Sequence, residues 1–198
     1  SELFTWAARD AGLHGISSLP SPGFGDYQRA LECWNAPYIY DQLPLSWSNS
    51  KPQSFPIAPK TNVLWITNPH NPTGQLWSRS SIESLLTNYK LVICDEAFLS
   101  IVPGGEDQSI IDLTKNHKNL IVIRSLTKFL GVAGLRIGYA ISNSDRLSKW
   151  EGIRDPWPIN TLAIYATNMI MNNQKMHEKR LNKIHKWIEE EGKWLHEN

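Results

Sequence analysis

The sequence predicts an α/β fold in which helices flank a mainly parallel sheet, and three observations carry the prediction. Residues 63–67, 91–95 and 120–124 are short, nearly continuous apolar runs. Strands covered on both faces read that way, rather than as half-polar alternations. Helix-period stretches separate the runs, as in parallel strands joined by helical crossovers. Polar side chains cluster where each run ends, and ligands of open α/β sheets bind outside the carboxyl ends of strands.

Taken in order, Leu3, Ala7 and Ala11, with Phe4 and Ala8 beside them, recur at helical spacing, and Gly12 is the expected stop. Residues 16–19 read as a short strand, broken by the Pro20, Ser21, Pro22, Gly23 cluster. Residues 27–34 read as a helix, and 42–61, rich in Pro, Ser, Asn, Gln and Lys, as a loop. Strand 63–67, helix 78–87 opening near Ser78 or Ser80, strand 91–95, a short helix 109–114, strand 120–124 and strand 136–142 follow. Pro156 and Pro158 then interrupt the chain, and 161–198 read as helix. Its apolar stripe of Leu181, Ile184, Ile188 and Leu195 runs among Lys183, Lys186, Glu189 and Glu190. The expected organisation is a domain over 1–160 and a helical segment over 161–198. The stripe finds no later partner in the chain, which implies packing on the sheet or against a segment further downstream.

Composition removes several function classes. Twenty basic residues against 19 acidic ones leave no electrostatic footprint for nucleic acid. No apolar run approaches the roughly 20 residues that span a bilayer. Cys33 and Cys94 make neither a disulfide framework nor a zinc cluster, and His14, His117, His177, His185 and His196 lack metal-ligand spacing. No signal peptide is visible, so a reducing, cytoplasmic setting is expected.

Four polar sites follow the strands. Asn68-Pro-His-Asn-Pro-Thr-Gly74 is a stiff turn able to fix an amide side chain, although an ordinary strand-to-helix loop also reads this way. Asp95-Glu-Ala-Phe98 ends an otherwise apolar strand, where a buried acid needs a cation and no Lys or Arg is near in sequence. A helix cap or a solvated strand end is the alternative. Ser125-Leu-Thr-Lys128 sets an amine beside hydroxyls, suited to a nucleophile or a phosphate site. The same spacing occurs in β-lactamases, but their Ser-Asp-Asn and Lys-Thr-Gly elements are missing. Gly131-Val-Ala-Gly-Leu-Arg-Ile-Gly138 offers close backbone approach and, in Arg136, a guanidinium fork for phosphate. An amide, a carboxylate, a lysine and an arginine in that order are hard to explain as independent accidents.

In that order the motifs resemble the class I/II aminotransferase superfamily, pyridoxal 5'-phosphate (PLP) enzymes of fold type I. The resemblance implies a large PLP-binding domain with a mainly parallel sheet, lacking an N-terminal arm and a C-terminal small domain. It implies Lys128 as the catalytic amine that forms an imine with the cofactor, Asp95 as partner of the ring nitrogen and Asn71 as donor to the phenolic oxygen. Arg136, Ser125, Thr127 and the amides of Ser1 and Glu2 would hold the phosphate. Phe24 would stack on one ring face, with Ala97 under the other. Phe98 stands where many members carry a tyrosine. His70, Trp157 and Asn160 are candidate substrate contacts, with a solvated loop histidine the stronger alternative for His70 and turn packing an equal one for Trp157 and Asn160. Within the superfamily, Asp95-Glu-Ala-Phe98 and Pro156-Trp-Pro-Ile-Asn160 look most like the threonine-phosphate decarboxylases of cobalamin biosynthesis. Histidinol-phosphate-type aminotransferases are the first alternative, and a non-catalytic truncated cofactor-binding domain is the second. A homodimer acting on a small amino acid, phosphorylated or not, is implied, with no metal, membrane or nucleic acid.

Overall fold

The computed structural model describes residues 2–44 and 52–197. Six strands form one sheet in the order β2-β1-β3-β4-β5-β6. They are β1 (Ser17–Ser21), β2 (Tyr38–Gln42), β3 (Val63–Thr67), β4 (Leu91–Asp95), β5 (Leu120–Ser125) and β6 (Gly138–Ile141). All neighbours run parallel except β5 and β6, which are antiparallel. The mainly parallel sheet expected from the apolar runs is therefore present.

Side chains alternate across a strand, and each face has its own core. Val63, Trp65, Leu91, Ile93, Ile121 and Ile123 face α1 (Glu2–His14) and α2 (Asp26–Glu32). Leu64, Ile66, Val92, Cys94, Leu120 and Val122 face α3 (Arg79–Leu85) and the 3₁₀ turn Ile111–Lys115. Ala7, Ala8 and Ala11 are fully buried, so α1 meets its neighbours through small side chains. Ser78 caps α3 by accepting a hydrogen bond from the Ser81 amide, as expected of one of the two serines.

The structure departs from the sequence reading in several places. Helix α1 runs through Gly12 and stops at His14, where Gly15 takes φ +124°. Strand β2 was not expected, because Tyr38–Gln42 is a half-exposed edge strand with polar members. It is set by parallel pairing with all five residues of β1. Helix α4 (Leu126–Leu130) carries Lys128 and ends at Gly131 with φ +63°. Strand β6 begins at Gly138 rather than 136, because Arg136 adopts left-handed backbone with φ +51°. Helix α5 (Ser144–Glu151), also unexpected, is capped by Asn143 and buries Trp150, and its Arg146 pairs with Asp10 of α1. The continuous helix expected over 161–198 is two helices, α6 (Thr161–Met171) and α7 (Gln174–Glu197), parted at Asn172 and Asn173. Trp187 and Trp194, expected as core or interface anchors, are exposed on α7 and so are not core residues. Among the described residues, no helix is long and apolar enough to cross a membrane.

Candidate active site at the carboxyl end of the sheet

Strand register builds the site. Thr67 of β3 lies opposite Asp95 of β4, and Asp95 lies opposite Ile123 of β5. Trp65, Ile93 and Ile123 face α1, so Thr67, Asp95 and Ser125, each two residues further on, point to that same face. A cavity of about 760 Å³ opens there. Its wall includes Asn71, Asp95, Lys128 and Arg136, the four residues on which the sequence argument rested. Glu2, Phe24, Ala97, Ser125 and Thr127 also line it. Ser1 lies outside the described residues.

Asp95 is 5% exposed. Its Oδ1 accepts from the Ala97 amide at 2.9 Å, and its Oδ2 accepts from the Tyr27 hydroxyl at 2.6 Å. Burial pushes its carboxyl above the usual range, and the Tyr27 and Ala97 hydrogen bonds and the Lys128 charge oppose that only in part. Among the described residues, no cation forms an ion pair with Asp95. The cation that acts on Asp95, Lys128, comes from far along the chain and does so through its charge, without an ion-pair contact.

The 68–77 loop is tied at both ends. The Asn68 side chain, fully buried, donates to the Trp77 carbonyl at 3.1 Å and accepts from the Trp77 amide at 2.8 Å. The His70 amide donates to Gln75 O and the Gly74 amide to His70 O, both at 2.7 Å, with Gly74 at φ +72°. The Asn68–Pro69 and Asn71–Pro72 bonds are cis. The turn so fixed puts Asn71 on the cavity wall.

Lys128 is exposed to the cavity, and its Nζ lies 4.9 Å from the centre of the Phe98 ring. The Ser125 and Thr127 hydroxyls are 2.7 Å apart. The Arg136 guanidinium makes one long hydrogen bond, 3.4 Å to Ala133 O. Among the described residues, neither Lys128 nor Arg136 has a carboxylate partner. Glu2 opens α1 and turns its carboxylate to Arg154 at 2.8 Å, which leaves the first turn of a 13-residue helix facing the cavity. Phe24 is packed edge-on by Phe4 and Tyr27.

Three candidate substrate residues sit elsewhere. His70 is buried inside its loop, bonded to Thr73 Oγ1 at 2.7 Å, and burial lowers its pKa. Trp157 is 86% exposed. Asn160 caps α6, accepting from the Ala163 amide at 2.8 Å. None of the three lines the cavity; Pro158 and Ile159 between them do. Sequence reasoning missed Tyr27 and Thr67, which meet Asp95 from α2 and β3. A tyrosine three residues after a cavity aromatic, on a helix following a strand, was the only signal.

The cavity thus suits a flat cationic heterocycle bearing an anionic group. The uncompensated carboxylate would meet the ring cation, while Arg136, two hydroxyls and a helix N-terminus would meet the anion. A nearby lysine is free to bond covalently. Comparison with known proteins follows the same line. The family model for aminotransferase class I and II matches residues 20–198. A histidinol-phosphate aminotransferase from Haemophilus influenzae is 38% identical over 126 residues, 62% of this chain and 34% of that protein. The crystal structure of the L-threonine-O-3-phosphate decarboxylase from Porphyromonas gingivalis superposes with a TM-score of 0.72 at 24% identity, covering 95% of this chain and 55% of that one. A PLP-bound C-S lyase from Staphylococcus hominis superposes with a TM-score of 0.79 at 19% identity, covering 99% and 51%. The chain therefore spans only about a third to a half of the length of these relatives. With the family model covering nearly all of it, the chain belongs to the class I and II aminotransferase family.

Proposed function

We propose that this chain is the cofactor-binding part of a pyridoxal 5'-phosphate enzyme acting on a small amino acid. The carrying observation is the charge pattern of one cavity: a buried carboxylate short of a cation, with a lysine and an arginine that lack carboxylates. When bound, the cofactor supplies an electron-poor ring that takes up the electrons of a bond broken at the substrate α-carbon. Asp95 holds a proton at the ring nitrogen, and Asn71 donates to the phenolic oxygen. Phe98 has no hydroxyl to share that second task. Lys128 Nζ would anchor the cofactor and would be the group placed to move a proton at the reacting carbon. Arg136, Ser125, Thr127 and the start of α1 hold the phosphate, Phe24 covers one ring face, and Ala97 leaves room on the other.

For the reaction itself we favour decarboxylation of L-threonine-O-3-phosphate. Asp95-Glu-Ala-Phe98 and the 156–163 segment support it. The Haemophilus relative favours histidinol-phosphate transamination as the second reading. In either case the active form is proposed to be a homodimer.

The test is a titration with pyridoxal phosphate. A visible band shifted to longer wavelength than that of free pyridoxal phosphate should appear with the native chain and be lost in Lys128→Ala. A native chain that gives no band, or a variant that keeps it, rejects the proposal. Carbon dioxide released from threonine phosphate, against keto product from histidinol phosphate, separates the two reactions.

A further inference from the structure

We infer that Tyr27 is a positioning residue for this site: its hydroxyl orients the Asp95 carboxylate and its ring backs Phe24. One side chain thus sets both the acid facing the ring nitrogen and the aromatic covering the ring face. The inference rests on the function proposed above.

Tyr27 is 1% exposed and lies behind Phe24, Thr67 and Asp95, which line the cavity. Its ring is held edge-on by Phe4 at 5.1 Å and by Phe24 at 5.5 Å, and lies tilted on Trp65 at 5.1 Å. Its oxygen sits 2.6 Å from Asp95 Oδ2 and 2.8 Å from Thr67 Oγ1. A phenol has a single proton to give. When Asp95 is ionised, that proton belongs to the carboxylate, and the Thr67 hydroxyl must donate to the phenol oxygen. The result is a directed chain from Thr67 to Tyr27 to Asp95 that terminates on the anion. If Asp95 is neutral, its proton can point at Tyr27 and both hydroxyls reverse. The charge of the carboxylate is thereby linked to the orientation of two buried hydroxyls.

Other groups do not substitute for this chain. Lys128 acts on Asp95 from α4 through its charge. Cys94, the neighbour in β4, points to the opposite face, where burial pushes its thiol up and keeps it neutral. Tyr27 itself stays protonated, since burial and the adjacent Asp95 hold its phenol well above the ordinary value.

Tyr27→Phe keeps the ring and removes the hydroxyl. In the cofactor-free protein with ¹³C-labelled aspartate, Asp95 should titrate at higher pH than in the native chain. With cofactor, affinity should fall about tenfold, the size expected for losing one hydrogen bond to a charged group. Tyr27→Leu removes the ring as well and should weaken binding further. Should Tyr27→Phe fail to fold, Thr67→Val breaks the chain one link earlier and should move the Asp95 titration in the same direction by less. An unchanged titration overturns the hydroxyl role, and equal affinities in the two Tyr27 variants overturn the ring role. A shifted titration in a chain that never develops the visible band would sustain the Tyr27–Asp95 link and reject the cofactor reading instead.

Discussion

Two acids stand side by side at the end of β4, and the two faces of the sheet treat them differently. Glu96 turns to the face of α3. Its carboxylate receives Arg124 at 2.7 Å, Ser109 Oγ at 2.9 Å and the Ile110 amide at 2.9 Å. Arg124 in turn forks onto Glu106 at 2.7 and 3.0 Å. Asp95 turns to the face of α1, where it receives one phenol and one amide. Both carboxyls are pushed up by burial. The difference lies in compensation. Around Glu96 the chain supplies a guanidinium of its own, so that charge belongs to the architecture. Around Asp95 no cation among the described residues forms an ion pair, and Lys128 acts only through its charge from the wall of the same cavity. Buried acids of similar exposure can thus be sorted into structural and functional ones by counting the cations the protein itself provides.

This comparison can be broken experimentally. The largest effect is expected on the Glu96 side. Arg124→Leu leaves a buried glutamate without its ion pair, so chemical denaturation should show a loss of about 3–5 kcal/mol. A loss below about 1 kcal/mol, within the range of an exposed pair, would mean that Glu96 is not held as described. Asp95→Asn should behave in the opposite way. Burial raises the folded-state pKa above the unfolded one, so the stability tied to this group is complete below the ordinary carboxyl range. It is lost as pH rises through the folded value. The cofactor-free Asp95→Asn chain should therefore melt above the native chain at neutral pH, and the gap should close in acid. With pyridoxal phosphate present the order should reverse, because the native carboxylate then has its cation. A gap independent of pH and of cofactor would remove the distinction between the two acids. The smallest effect belongs to Glu106→Gln. Its side chain is 58% exposed, and exposed pairs contribute about 0–1 kcal/mol, so unfolding curves should nearly overlay.

Legibility in the sequence followed the range of the interactions involved. The central strands and the residues at their ends could be read directly, because apolar runs and motif order are local properties. Asn71, Asp95, Lys128 and Arg136 were named from sequence, and the fold gathers them in one cavity. Tyr27 meets Asp95 across 68 positions, and no local pattern announces such a contact. Strand β2 was hidden for a related reason. An edge strand with one exposed face lacks a full apolar run, and only its pairing with β1 defines it. His70 reads most readily as a solvated loop histidine, whereas the loop buries it as an internal tie to Thr73. The break between α6 and α7 at two consecutive asparagines could have been anticipated from their poor helix propensity.

The reversed direction of β6 carries a consequence for how this chain tolerates changes in length. β6 runs back along β5 with Ser125 opposite Gly138, and the segment joining them lines the cavity near both ends, through Thr127 and Lys128 and through Arg136 and Ile137. Lys128 and Arg136 are therefore held at a separation fixed by a single short connection. Added bulk is resisted there: a Cβ at Gly138 would lie 2.7 Å from the Arg124 carbonyl oxygen, and a side chain at Gly131 would be strained by its φ of +63°. Insertions, fusion tags and loop libraries belong in the connections at the opposite rim of the sheet; a single residue spliced between 128 and 136 would pull the amine and the guanidinium out of step.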